Sequence, residues 1–277
     1  MPPVRPRILY VTDLAYPARG RRYGDEDIFL TSRLREDFDL ALCHPLDAAA
    51  LMGAFEAVVV RNSGPVLAYQ EVYEDFRERA IDSGARVYNQ LSGKADMAGK
   101  QYLLDLTAAR HPVIPTVDRT EDLHRLPETD RYVVKPKRGA DSIGLRIVSA
   151  AQLRDLVNGD VLVQPCVDFA YEVSFYFVDH DFQYALYAPH PDRRWQLEPY
   201  SPTDDDLAFA RRFIDWNTVD HGIQRVDACR APGGELLLVE LEDLNPYLSL
   251  DALAHPARDA FVSAMTTSLH RFLGTRA

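Results

Sequence analysis

Residues 133–148 read VVKPKRGADSIGLRIV. An apolar run ends in Lys135-Pro136, a short segment holding Gly139 follows, and after Gly144 a second apolar run, Leu145 to Val148, closes the stretch. Two strands joined by a glycine-containing loop is the simplest description. Lysine beside glycine suggests a loop for phosphate. A P-loop, however, carries its lysine after the glycines and has a helix behind it, so that N–H groups at the helix N-terminus point at the anion. Here the lysine leads and a strand follows. The three-glycine dinucleotide fingerprint before a helix is missing too. What is left is a lysine on a strand, able to act as a point charge, beside a loop that could fold over whatever it holds. An exposed hairpin with solvated Lys and Arg side chains accounts for these residues equally well.

The rest of the chain sharpens the choice. Of the 31 Lys and Arg residues only four are lysines, Lys94, Lys100, Lys135 and Lys137, all in one segment. A chain that uses arginine nearly everywhere gives its few lysines added weight. With 277 residues, 47% hydrophobic and 26% charged, it can bury a substantial core. A net charge of -11 argues against non-specific nucleic-acid binding. The apolar runs are of strand length, so no membrane span is expected, and the N-terminus does not read as a signal peptide. Cys43, Cys166 and Cys229 are odd in number and widely spaced, which predicts neither disulfides nor a zinc site; a cytoplasmic setting is expected.

Strand-like and helix-like patterns alternate, which favours α/β organisation. Arg7–Thr12, 40–42, 57–60 and 86–89 read as strands, with helices over 25–35 and around Val72, Phe76 and Ala80. Residues 95–109 read as a helix with Leu103 and Leu106 inward. Ser149 and Gln152 form a capping box for a helix over 153–157. Two long strands, 172–179 and 182–188, precede a helix from Thr203 to about His221. A hairpin over 222–230 and 235–243 turns at Ala231-Pro-Gly-Gly234, and a last helix runs from Pro256 to Gly274.

In Glu235–Asp243, ELLLVELED, strand alternation puts Leu236, Leu238, Glu240 and Glu242 on one face. Like charges this close call for a cation between them. Across the hairpin, Asp227 alternates with Arg225, so Asp227, Glu240 and Glu242 can converge as oxygen ligands of the kind Mg²⁺ takes. A solvated strand end with Arg225 paired to a glutamate is the plain alternative. Gln164-Pro165-Cys166-Val167-Asp168, then Glu172, is a strand running into a connector that could offer backbone groups to a flat ring and a carboxylate to hydroxyls.

In this order, these residues resemble the ATP-grasp superfamily, in the branch of glutathione synthetases and ribosomal-protein glutamate ligases, over about 89–251. Asn89, Lys100, Leu103 and Pro115-Thr116 look like the segment whose lysine reaches ATP phosphate. Tyr132 to Pro136 is similar to the strand of the second ATP lysine, Lys135. Lys137 to Ile143 resembles the lid over the phosphates, with Gly139, Ser142 and Ile143 against nucleotide. Gln164, Pro165, Cys166 and Val167 stand at the adenine hinge, with Asp168 or Glu172 as ribose partner. Arg225-Val226-Asp227 resembles the family's R-x-D. Where the family commonly has E-x-N, this chain has Glu240-Leu-Glu242-Asp-Leu-Asn245, so either Glu242 or Asn245 takes the asparagine's place; the shared face favours Glu240 and Glu242.

The resemblance implies an α/β ATP-grasp fold: an N-terminal β/α/β domain over 1–92, a small lid subdomain over 93–160 and a C-terminal α+β subdomain binding ATP and Mg²⁺ over 161–277. It implies a ligase that makes an acyl phosphate from a carboxyl group of a small amino-acid-like substrate, then a C–N bond, releasing ADP and phosphate. Such an enzyme would suit antibiotic or amino-acid-derivative biosynthesis. Ring closure within one molecule, as in the D-cycloserine-forming ligase, and a non-catalytic ATP-binding module are the alternatives. Lys135 and Arg225 would be catalytic. Arg61 and Asn62, Asp141 in the lid, the loop 16–25, and Arg193 with Arg194 are candidates for the substrate. A homodimer is compatible with this reading.

Overall fold

The computed structural model describes residues 4–18, 21–62, 66–137, 144–153, 155–157, 159–190, 193 and 196–274. Gly139, Asp141, Ser142, Ile143 and Arg194, named above, lie outside them.

The first part is a parallel sheet. β1 (Arg7–Thr12), β4 (Asp39–Cys43), β5 (Ala57–Asn62) and β6 (Val87–Tyr88) stand in the order β4-β1-β5-β6. β2 (Pro17–Ala18) and β3 (Arg21–Arg22) form a short hairpin between β1 and α1 (Tyr23–Leu34). α2 (Ala48–Leu51) and α3 (Val66–Ser83) complete this part. Ile8, Leu9, Tyr10 and Val11 of β1 are buried in succession, as a strand covered on both faces requires. The chain goes from β1 out to β4 and then back across to β5. The carboxyl ends of β1 and β5, at Thr12 and Asn62, therefore form the point where a crevice opens in a sheet of this kind.

The second part is an antiparallel sheet in the order β12-β11-β10-β13-β14, made of β10 (Tyr171–Val178), β11 (Asp181–Ala188), β12 (Glu198–Tyr200), β13 (Ile223–Arg230) and β14 (Leu236–Glu242). α6 (Asp204–Asn217) packs on one face through Ala210, Phe213 and Ile214. It starts at a capping box between Thr203 and Asp206 and stops four residues short of the expected His221, because Thr218 turns left-handed at φ 61°. α7 (His255–Leu273) ends at Gly274, also left-handed. Its Phe261, Met265 and Leu269 share one core with Ile8 and Tyr10 of β1 and Tyr176 and Leu186 of the large sheet. The C-terminal helix thus welds the two sheets together.

A three-stranded sheet, β8-β7-β9, stands between them in sequence: β7 (Arg131–Pro136), β8 (Arg146–Ser149) and β9 (Val161–Pro165). The subdomain boundary expected at 160 would cut β9 from the strand it pairs with, so this unit runs to Pro165. α5 (Ala150–Leu153) is one turn long and begins at the Ser149–Gln152 box, earlier than expected. The helix expected over 95–109 is broken: a 3₁₀ turn, Asp96–Ala98, ends at Gly99 with φ 86°, and α4 (Tyr102–Ala108) follows, with Leu103 and Leu106 buried.

Candidate active site

β13 and β14 pair Arg225 with Glu242 and Asp227 with Glu240; the next pair is Ala228 with Leu238. Val239 is thus an extra residue, a bulge that shifts the alternation by one. Strict alternation would have grouped both glutamates with Leu236 and Leu238. Instead Leu236, Leu238 and Leu241 are buried in the core under α6, while Glu240 and Glu242 turn together toward Asp227. Oxygens of the three carboxylates lie within 4.8 Å of one another. Ser174 of β10, opposite Asp227 in the sheet, donates to it at 2.6 Å. Arg225 donates to Asp227 at 2.8 Å, to Glu242 at 2.6 Å and to the Tyr247 carbonyl at 2.8 Å. Burial pushes the Glu242 carboxyl up to about 7, Arg225 opposes this, and the like charge of Asp227 adds to it. An all-oxygen set this crowded, already drawing cations to itself, fits a hard divalent ion such as Mg²⁺.

One of those cations is Lys100, buried at 6% exposure, with its Nζ against Glu240 and 3.8 Å from Asp96. Its place is set from the far side of β14. The next residue along, Asp243, is buried and accepts N–H bonds from Ala95 at 3.1 Å and Met97 at 2.8 Å, and from Asn217 at 3.0 Å. Gly93 lets this carboxylate approach; a Cβ there would overlap it. We expect Gly93→Ala to cost about 1–3 kcal/mol in urea unfolding by overpacking this contact. Unchanged stability would mean that Asp243 does not pin the segment. Asn89 is a second staple, donating to the carbonyls of Ile223 at 2.8 Å and Asp243 at 2.6 Å and accepting from the Ile223 N–H at 2.7 Å.

Lys135 comes from β7 of the small sheet, and the Lys137 carbonyl ties that sheet to the Lys100 N–H at 3.0 Å. Burial pushes the Lys135 ammonium down to about 7, the nearby charge of Lys100 adds to this, and Asp96 opposes it. Among the described residues Lys135 has no ion-pair partner. Three chain segments therefore bring two lysines, an arginine and three carboxylates into one place.

The other expected residues fare unevenly. Gln164 is buried and donates to Thr116 at 2.8 Å. Pro165 has no N–H, and the Cys166 N–H is taken by the Arg131 carbonyl at 2.9 Å. Val167, expected at an adenine hinge, is half-buried. Asp168 is 88% exposed and 3.6 Å from Arg131, whereas Glu172 shares the face of Ser174 on β10. Asn245 is half-buried just past β14. Arg193 is exposed, in a turn closed by its N–H on His190. Arg61 is not an open fork: at 4% exposure it lies 3.6 Å from both Glu26 and Asp27. Asn62 pairs with Thr12 at the end of β5. Sequence reasoning missed Asp96, Ser174, Glu26 and the role of Asp243. Only Ser174 had a usable signal, through alternation with Glu172.

A groove of about 480 Å³ lies on the opposite face, among Tyr171, Tyr200, Phe209 and Arg230. Its charges serve each other, Arg230 pairing with Asp206 at 2.5 Å.

No protein-family profile matches the chain, and no curated protein sequence does. Solved structures do. D-cycloserine synthetase DcsG superposes with a TM-score of 0.72 at 23% identity, over 95% of this chain and 99% of its own. D-alanine–D-alanine ligase from Bacillus anthracis, complexed with ATP, gives 0.64 at 13%, over 99% and 97%. The chain has the ATP-grasp fold. The ATP-grasp ligase PsnB, complexed with a minimal precursor, gives 0.64 at 18%, over 94% and 100%. The near-complete coverage means that the likeness extends over nearly the whole chain and is not confined to one sheet. No helix among the described residues is long and apolar enough to cross a membrane.

Proposed function

We propose that the chain is an ATP- and Mg²⁺-dependent ligase that forms a C–N bond on a small amino-acid-like substrate through an acyl phosphate. The observation that carries this is the convergence of Lys100, Lys135 and Arg225 on Asp227, Glu240 and Glu242. A substrate carboxyl-type oxygen attacks the γ-phosphorus, the bond to the β,γ-bridging oxygen breaks, and ADP leaves. A substrate nitrogen then attacks the acyl carbon and phosphate departs, the proton passing from nitrogen to solvent or phosphate. Lys100 and Lys135 hold the phosphates by charge and Arg225 faces the group in transfer, a fixed electrostatic frame that needs no nucleophilic side chain. Asp227, Glu240 and Glu242, with Asn245 beside them, would hold Mg²⁺, which supplies further charge for the phosphates. Glu172 is the ribose partner, and Gly139, Ser142 and Ile143 belong to the covering loop. The substrate enters at the carboxyl ends of β1 and β5, with Asn62, Asp141, Arg193 and Arg194 as its candidate contacts.

The likeness to D-cycloserine synthetase along both whole chains supports a second reading, closure of a ring within one molecule. The test is ADP and phosphate release with MgATP over a panel of amino acids and their amide, ureido and hydroxamate derivatives. Release with two partners together supports joining. Release with one substrate alone, with product lighter by one water, supports ring closure. Release of AMP instead would sink the acyl-phosphate step.

A further inference from the structure

The carboxylates that would take a metal already have partners. Glu240 lies against Lys100 Nζ, Glu242 accepts from Arg225 Nη2 at 2.6 Å, and Asp227 accepts from Arg225 Nε and Nη2 at 2.9 and 2.8 Å. The two cations doing this are the ones assigned above to phosphate. A divalent ion arriving alone needs the same oxygens. It must push Lys100 and Arg225 away, and both are largely buried, with side chains 8% and 15% exposed. Breaking one side of such a pair leaves an uncompensated charge out of water, which is strongly unfavourable. Lys100 could fall back on Asp96 at 3.8 Å, but among the described residues Arg225 would keep only uncharged partners, the Tyr247 carbonyl and the Tyr176 ring at 5.9 Å. A polyphosphate arriving with the ion changes the balance, because its oxygens can accept from the ammonium and the guanidinium as the carboxylates turn to the metal.

We propose that Lys100 and Arg225 are exchangeable counter-ions of Asp227, Glu240 and Glu242, so that a divalent ion and the nucleotide's phosphates enter as a coupled pair and each is held weakly without the other. The inference rests on the ligase reading for the identity of the polyphosphate. Coupling of this kind is reciprocal: whatever factor the nucleotide adds to ion affinity, the ion adds to nucleotide affinity. The same exchange gives Lys100 two opposed effects, as a competitor of the ion and a holder of phosphate.

The test uses Mn²⁺ and water-proton relaxation, which is enhanced over that of the free ion when the ion tumbles with the protein. With wild-type protein, Mn²⁺ alone should give little enhancement at concentrations where Mn²⁺ with ADP gives a strong one, and AMP, lacking the β-phosphate, should not replace ADP. Lys100→Met removes the counter-ion of Glu240. It should raise the affinity for Mn²⁺ alone roughly tenfold or more while weakening ADP. Equal binding of Mn²⁺ with and without ADP in the wild type overturns the proposal, as does a folded Lys100→Met that takes Mn²⁺ alone no better. Should that variant not fold, the wild-type series decides by itself. Failure of ADP to bind under any metal condition would overturn the ligase reading as well, whereas ADP binding without coupling overturns this inference only.

Discussion

Lys135→Met is expected to raise the melting temperature of the nucleotide-free protein and to lower turnover by about 10²- to 10³-fold, the range seen when one group of a fixed electrostatic frame is removed. The two effects share a cause. Burial and the charge of Lys100 bring the Lys135 ammonium down to about 7. A lysine depressed by folding destabilises the fold most at and below its folded pKa, and the penalty fades as pH rises toward its unfolded value. At neutral pH it is on the order of a few kcal/mol, and methionine, of similar length and uncharged, removes it. The gain in melting temperature should therefore be large at pH 6–7 and vanish near pH 10. Phosphate reverses the preference by favouring the charged form, so near pH 8 wild-type protein should take up close to one proton as nucleotide binds. Calorimetry in buffers of different ionisation enthalpy reads that uptake directly. A variant that melts lower than wild type at pH 7, or that keeps the proton uptake, would show that Lys135 is not the group facing phosphate.

Much of this arrangement could be read from the chain before its structure was known, and the reason lies in residue types. In a protein with four lysines, the positions of Lys100 and Lys135 carry information, and their order relative to Arg225, Asp227 and Glu240 sets the sheet plan. The face of β14 was not legible. Alternation gave the right company for Glu240 and Glu242 with each other and the wrong company with Leu236 and Leu238, because the bulge at Val239 is a matter of pairing with β13. Asp243 was opaque for a related reason. Its work is done on Ala95, Met97 and Asn217, which lie far off in sequence, and only the fold brings those donors to it. The interrupted helix after Lys94 follows from Gly99, whose φ of 86° serves the turn into Lys100. Arg61 was misread most. An arginine after a strand looks like a surface fork, since arginine is rarely fully buried without partners; here the partners, Glu26 and Asp27, come from α1.

That burial makes Arg61 the site of the second large effect, on stability. Its guanidinium lies 3.6 Å from Glu26 and 3.6 Å from Asp27, with Nε and Nη1 lacking a hydrogen-bond acceptor among the described residues. Asp27 accepts from Tyr10 at 2.8 Å and Thr12 at 2.5 Å. Glu26 accepts the N–H groups of Leu248 at 3.0 Å and Leu250 at 3.2 Å, which ties the parallel sheet to the segment after Asn245. Even with Arg61 present, burial pushes the Glu26 carboxyl up to about 7, and Asp27 is raised by burial as well. Arg61→Met leaves two buried carboxylates without their cation, a loss of about 3–5 kcal/mol. The pH dependence separates this cause from lost packing. A carboxyl whose folded pKa is raised contributes stability that is full below its unfolded pKa and is lost as pH rises through the folded value. Without Arg61 both folded values move up further, so the deficit against wild type should be small at pH 5, where protonation relieves both carboxylates, and largest at pH 8. Urea unfolding at pH 5, 6.5 and 8 measures it. A deficit that is the same at all three would mean that the guanidinium only fills space. A deficit that grows with pH identifies Arg61 as the charge that lets α1 deliver Glu26 to the Leu248–Leu250 backbone, and so lets the parallel sheet hold the segment that follows the carboxylate strand.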